Sequence, residues 1–463
     1  MGHLFDPELI PLWLATAVAG ICAVGAVLLA RGLVDPFGWL VRQVSSSHFP
    51  DSPAESSRRR VAIDARPMIG LRQADGQFAT YGIGNYLIHL TKELVSQDKD
   101  TEYVLWSASW KVCFPEWYTA FVSTHHNVRA VHIRLPNHVV DLLSFWRFRF
   151  LHELVGVVDA SYEANYFPIK PGNAFSICTV HDLSFRRDPT FRRARGWQEE
   201  AAARAGLADK ITTVSDASRT LILDHTRNWV KNVRPENVVV VHGAPDSQFN
   251  PHFADQHLAE VRQRYDLPKL YFICSGEPVA RKNFPALIQA FQTLRSSLPD
   301  YYLIMTGFDQ AQLKTAVGGN LEHVRALGYV PEKHLPSLFR GAQALIYPSV
   351  DEGFGLPVVE AMSTGQVVVT SNIAALREVT GGVSITSDTD PNAIALAMST
   401  VANMDASERR RLIERGLANS RRFTWSASAA TLLRVIHEGI ALKRRGRILA
   451  PAQQTKRASG GGG

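Results

Sequence analysis

The sequence predicts an α/β protein of two successive strand–helix units, carried behind an N-terminal membrane-spanning helix. Three observations predict it. Apolar runs of strand length alternate with helical patterns from about Val61 onward, which implies mostly parallel sheets. The alternation starts afresh at Leu270, after a charged connection that holds Pro251 and ends at Pro268. Leu9 to Ala30 carries no charge and is mostly Leu, Ala, Val and Ile.

At 463 residues the chain exceeds what one hydrophobic core usually serves. The expected division is a membrane anchor at 1–34, a linker at 35–60 and a first domain at 61–250. A connection at 251–268, a second domain at 269–424, a C-terminal helix at 425–445 and a disordered basic tail at 446–463 complete it. Apolar content of 46% and charged content of 20% are ordinary for a globular chain. The net charge of +7 suits nucleic acid, anionic lipid or phosphorylated ligands. No nucleic-acid motif accompanies it, so no nucleic-acid partner is expected. Cys22, Cys113, Cys178 and Cys274 are widely spaced, with no CxxC pair or Cys/His cluster. Neither a disulfide framework nor a structural zinc is expected, and a reducing compartment fits.

As a helix, Leu9 to Ala30 would span roughly 33 Å, enough for a bilayer core. Asp6 and Glu8 precede it, where a cleavable signal peptide would be positive. Arg31, Arg42 and Arg58-Arg59-Arg60 follow, and by the positive-inside rule the remainder of the chain is expected in the cytoplasm. Val61 to Asp64 starts the first strand, and a long loop leads to Gly82-Ile83-Gly84 before a helix with Leu87, Leu90 and Leu94 on one face. Tyr103 to Trp106 and Val128 to Ile133 read as strands, and Phe145 to Val155 as a half-buried helix or a lipid-facing surface. Ser176 to Leu183 is a strand ending in His181-Asp182; side chains at such ends point into a ligand crevice, although a lone His is often structural. The arginines from Arg186 to Arg195 are a solvated face or a grip for phosphate or lipid.

Lys210 to Ser218 is strand then helix, with Ser215 or Asp216 as cap, and Val238 to Val241 closes the first unit. In the second unit, the strand Leu270 to Cys274 runs into Ser275-Gly276, then Arg281-Lys282 and Asn283 as N-cap of the next helix. Cations at a strand's C-terminal end, ahead of a helix N-terminus, suit a diphosphate. Tyr302 to Gly307, Val324 to Val330, Ala342 to Tyr347 and Gln366 to Thr370 supply further strands. Asp388-Thr389-Asp390 has the spacing of a metal-holding pair, but beside Pro391 it reads as a turn.

The stretch Tyr347 to Met362 carries the sharpest signal. A strand is followed by Gly353-Phe354-Gly355, and Pro357 opens a helix. Free N–H groups and the positive helix end make an anion site. Glu352 and Glu360 bracket it, Glu360 in the first helical turn. A phosphate site flanked by carboxylates suits a ligand with both phosphate and hydroxyls, such as a nucleotide sugar.

Assembled, these residues resemble family 4 glycosyltransferases of the GT-B fold, in the mannosyltransferase-like branch. The resemblance covers about Val61 to Glu438. It rests on Glu352-x7-Glu360, on Gly276-x4-Arg281-Lys282-Asn283, on Ile63 to Arg66 with Gly82 to Tyr86, and on Val180-His181-Asp182. It implies two Rossmann-like domains facing across a cleft, a nucleotide-diphosphate sugar as co-substrate, and retention of anomeric configuration without a metal. Arg281 and Lys282 would hold the diphosphate, Glu360 the ribose diol and Glu352 the donor sugar. His181 would lie near that sugar, and backbone N–H groups near Gly353, Phe354 and Gly355 would contact sugar or phosphate. Gly82 and Gly84 would let the first domain approach the phosphates. The expected activity moves a hexose, mannose or glucose, to a saccharide or lipid-linked acceptor at the membrane. Two other readings share these residues: an inactive nucleotide-sugar-binding scaffold, and a sugar-nucleotide epimerase of the same architecture.

Overall fold

The computed structural model describes residues 45–46, 58–72, 78–80, 82–110, 113–137, 140, 155–165, 173–186, 203–226 and 233–449. The expected anchor at 1–34, the Phe145 to Val155 segment up to residue 154, and the clustered arginines from Arg187 to Arg195 lie outside the described residues. Among those described, no helix is long and apolar enough to cross a membrane.

Ten strands belong to the first half: β1 Ser45–Ser46, β2 Arg59–Asp64, β3 Leu71–Arg72, β4 Phe78–Ala79, β5 Thr101–Ala108, β6 Val128–Ile133, β7 Ala160–Glu163, β8 Phe175–Thr179, β9 Lys210–Thr213 and β10 Val238–Val240. Eight of them form one sheet in the order β1-β6-β5-β2-β7-β8-β9-β10, while β3 and β4 pair as a hairpin. Only β1 runs antiparallel to its neighbour in that sheet. The second half contributes β11 Leu270–Ser275, β12 Tyr301–Thr306, β13 Val324–Ala326, β14 Leu345–Tyr347, β15 Val368–Ser371 and β16 Ile385–Ser387. They order as β13-β12-β11-β14-β15-β16, all parallel.

Both sheets therefore reverse direction of growth around one central strand. β2 pairs with β5 on one side and β7 on the other, and β11 pairs with β12 and β14 in the same way. Crevices outside the carboxyl ends of such strands are where ligands bind in open α/β sheets. The central strands are buried on both faces, as parallel sheets covered by helices require: β11 is buried at Tyr271, Phe272, Ile273 and Cys274. One apolar cluster runs from Val61 and Leu87 through Phe354 and Phe423 to Ile436, so it spans both halves.

The chain departs from expectation in several places. Ser45–Ser46 adds an edge strand and β2 begins at Arg59, so parts of the expected linker are sheet. The long loop after β2 is closed by the β3–β4 hairpin. β7, only four residues long, has too little apolar run to be read from sequence. β13 stops at Ala326 because the chain turns at Gly328, whose φ is 75°. Asn283 does not cap the Phe284–Thr293 helix. It sits at φ 57° and its side-chain amide donates to the Thr389 carbonyl at 2.8 Å. Asp390 behaves as the turn reading expected, capping the Pro391–Ala402 helix through the Asn392 and Ala393 N–H groups. The C-terminal helix runs Trp425–Leu449, so residues 446–449, expected in the tail, are helical. It crosses back onto the first half, where His437 Nε2 lies 2.7 Å from Asp98 Oδ2 and Lys443 Nζ 2.9 Å from Asp209 Oδ1. Among the described residues, Cys113, Cys178 and Cys274 form no disulfide.

Candidate active site

The second sheet's central strands deliver three charged side chains to one point. After β11 the chain passes Gly276, whose φ of 143° suits glycine and where an added Cβ would stand 3.0 Å from Lys282 Cε. A single turn, Ala280–Lys282, then presents Arg281 and Lys282. β14 ends at Tyr347 and the following loop brings Glu352 across. Glu352 Oε1 accepts from Lys282 Nζ at 2.6 Å and Oε2 from Arg281 Nη1 at 2.7 Å. Lys282 also donates to the Tyr347 hydroxyl and sits over its ring, 4.5 Å from the centroid.

Burial by itself would raise the Glu352 carboxyl, but Lys282 and Arg281 outweigh it and pull it down to about 2. Glu352 in turn raises the Arg281 guanidinium, against burial. Glu360 has the opposite setting. Burial pushes its carboxyl well above 4.5, with Glu332 and Asp246 adding to the rise. His89 bridges those two neighbours, Nδ1 lying 3.3 Å from Asp246 and Nε2 3.2 Å from Glu332. Two carboxylates eight residues apart are thus split into an anion and a group that favours its proton, the kind of division that lets one site use both. Glu360 lies beyond the first turn of the Leu356–Ser363 helix, one turn later than expected.

The glycine loop between them is fitted to the other half. A Cβ on Gly353 would stand 2.4 Å from the His181 carbonyl oxygen, so only glycine allows the two strand ends to touch. Gly355 has φ 96° and would otherwise strike Leu376 at 2.6 Å. Phe354 packs between Gly243 and Phe423. His181 turns inward: its Nε2–H donates to the Ala164 carbonyl at 2.9 Å, its ring meets Tyr86 edge-on, and burial lowers its pKa. Its neighbour Asp182 adds to the field that raises Arg281.

The expected site residues thus divide. Arg281, Lys282, Glu352 and Gly276 form one cluster, and Gly353 joins it to His181. Gly82 and Gly84 lie inside the Gly82–Gln97 helix rather than before it. Gly82 has open space around it, whereas a Cβ on Gly84 would stand 2.6 Å from the Pro67 carbonyl oxygen. Several participants gave little or no sequence signal. Ser215 and Ser218 read only as helix-start residues, and Glu378, His89 and Glu332 carried no motif. Glu378 reaches from the second half to accept the Asp216 and Ala217 N–H groups at 2.9 Å each. With His242 and Asp216 it forms a group whose ligand atoms lie within 4.8 Å of one another. Its oxygens already serve a helix N-terminus, where a cation is disfavoured, so this is a cap across the two halves.

The sequence model of the group 1 glycosyl transferases matches residues 259–418. Over 366 residues the chain is 31% identical to the O-antigen chain mannosyltransferase B of Escherichia coli, covering 74% of this chain and 92% of that relative. The chain belongs to the group 1 glycosyltransferases. A second relative of this glycosyltransferase is the phosphatidyl-myo-inositol mannosyltransferase of Mycobacterium leprae, 32% identical over 160 residues, 34% of this chain and 42% of that one. Among solved structures, sucrose-phosphate synthase from Thermosynechococcus elongatus superposes with a TM-score of 0.63 at 18% identity, over 83% of this chain and 100% of that one. That likeness concerns the fold, a GT-B-like pair of parallel-sheet domains.

Proposed function

We propose that this glycosyltransferase is a family 4 member that moves a hexose, mannose or glucose, from a nucleoside-diphosphate sugar to a hydroxyl of a saccharide or lipid-linked acceptor. Transfer retains anomeric configuration and uses no metal ion. The observation that carries this reading is the buried cluster of Lys282, Arg281 and Glu352 at the carboxyl ends of β11 and β14. A departing diphosphate develops negative charge, and two preorganised cations in a water-poor site stabilise it far better than water would. Glu352, held ionised, stabilises positive charge growing on the sugar, and Glu360 holds the ribose diol. Gly82 and Gly84 bring the first domain near the phosphates. The mannosyltransferase relatives favour mannose among the hexoses.

A thermal-shift panel of UDP, GDP and ADP with their common sugars identifies the donor, because the tighter ligand raises stability more at fixed concentration. The stabilising donor is then incubated with and without saccharide acceptor. Hexose transfer that disappears in Arg281→Ala/Lys282→Ala supports the assignment. Interconversion of the donor without acceptor would make the enzyme an epimerase, and binding without turnover a scaffold. Residues 9–30 anchor the body to the cytoplasmic membrane face in this reading. Removal of residues 1–44 should then move the protein from membrane to soluble fraction, and retention at the membrane would sink the anchor.

A further inference from the structure

The N-terminus of the Asp216–Thr226 helix grips the Glu352–Gly355 loop from the opposite domain. Ser215 Oγ accepts the Ser218 N–H at 3.0 Å, which caps the helix, and donates to the Gly353 carbonyl at 2.6 Å. The Ser218 hydroxyl lies 3.1 Å from the same carbonyl and 3.1 Å from that of His181. Both serines are buried, 0% and 1% exposed. Glu378 completes the clasp in the other direction, a second-domain carboxylate on first-domain N–H groups.

We propose that Ser215 and Ser218 are positioning residues for sugar transfer, acting through the Gly353–Phe354 peptide; this rests on the donor-loop role given above. In a trans peptide the N–H points opposite to the carbonyl. Holding the Gly353 oxygen therefore aims the Phe354 N–H, and with it the turn from Glu352 to Gly355. The grip comes from the other domain, so the loop takes its working shape only when the domains are together. An open enzyme holds a nucleoside diphosphate through Arg281 and Lys282 but leaves the sugar-contacting backbone unset. Closure and completion of the site are one event, which limits loss of the sugar to water.

The test compares the full-length wild type with Ser215→Ala/Ser218→Ala, and with Ser337→Ala as control. Ser337, equally buried, makes a like hydroxyl-to-carbonyl bond at 2.8 Å to Ala254, between the Leu335–Gly341 and Pro251–Arg264 helices. The serine pair variant should lose about tenfold to hundredfold in kcat, since small misplacements cost that much. Its Kd for the nucleoside diphosphate should stay within about twofold, while Ser337→Ala keeps its kcat. Without any substrate, amide exchange across residues 351–356 should quicken in the pair variant and not in the control. Unchanged kcat, or kcat falling equally in the control, overturns the proposal. A wild type that transfers no hexose would overturn the functional reading instead, and loop exchange alone then decides positioning: no quickening overturns it.

Discussion

Glu352 and Lys282 meet at 2.6 Å with side chains only 6% and 8% exposed, and Arg281 takes the second Glu352 oxygen. The one carboxylate holds both cations in a place where none could be left alone, because an unpaired buried charge is far more costly than a missing pair. The cations are therefore preorganised before any anionic ligand arrives.

The first prediction concerns that dependence. Glu352→Gln leaves the Lys282 ammonium buried without its anion and should destabilise the fold by about 3 kcal/mol or more. Urea denaturation at neutral pH measures it. A loss below about 1 kcal/mol would mean that water reaches Lys282 and that the pair is surface-like.

Acid should expose the same carboxylate. Its pKa falls from 4.5 to about 2 on folding. The unfolded chain therefore binds the proton first, and the stabilisation is present above pH 4.5 and lost as pH falls toward 2. The linked loss is about 3 kcal/mol. Denaturation midpoints from pH 6 down to pH 2 should drop in wild type and drop less in Glu352→Gln; parallel curves would refute the linkage.

Glu360 has the reverse sign. Its folded pKa is raised by burial and by Glu332 and Asp246, so the native state holds the proton longer than the unfolded chain. Stability should fall as pH rises above 4.5. Glu360→Gln removes that penalty and should be more stable than wild type at pH 8 than at pH 4, while binding the nucleotide less tightly. Equal gaps at the two pH values would show that Glu360 ionises freely.

Three glycines separate packing from ligand contact. Gly353→Ala puts a methyl 2.4 Å from the His181 carbonyl and should abolish transfer by parting the domains. Gly84→Ala meets the Pro67 carbonyl oxygen at 2.6 Å and should lower Tm. Gly82→Ala has nothing within 4 Å and should leave Tm unchanged while raising the donor KM. Thermal melts and steady-state kinetics on the three proteins check this, and a donor KM unaltered in Gly82→Ala would remove Gly82 from the phosphate site.

Asn283 offers a test confined to backbone strain. At φ 57° an alanine is disfavoured and a glycine is not. Asn283→Ala should cost about 1 kcal/mol more than Asn283→Gly in urea denaturation, since both lose the bond to Thr389. Equal losses would mean the loop relaxes out of the left-handed region.

What was legible in sequence was local. Glu352, Arg281 and Lys282 each sit where a strand ends and a glycine turn begins, so short spacing revealed both their placement and their charge logic. Their mutual pairing was not legible, because it bridges 70 residues between Lys282 and Glu352. Ser215 lies 138 residues from Gly353, and His89 lies 243 from Glu332. No periodicity carries such contacts; only the packing of two sheets creates them. Glu360 was legible as a carboxylate but not as one whose pKa is raised, because its burial and its neighbours Glu332 and Asp246 come from other elements. Asn283 misled for a physical reason: Asn is favoured both as an N-cap and in the left-handed region, and here the second use won.

The helix Trp425–Leu449 ends the described chain, yet it lies against the half that begins it. Gly439 lies so close to the Phe175 ring that an added Cβ would stand 2.1 Å from it. His437, Lys443 and Arg444 reach Asp98, Asp209 and Asp159. During synthesis the first domain leaves the ribosome long before the helix that covers it exists. Its apolar flank at Phe175 therefore stays uncovered until residues 425–449 are translated. Premature termination near residue 424 would release a chain with both sheets encoded and that flank bare, a species that limited proteolysis should cut first in the N-terminal half. A late-translated helix here completes an early-translated domain, so assembly of the first half waits on residues far along the chain.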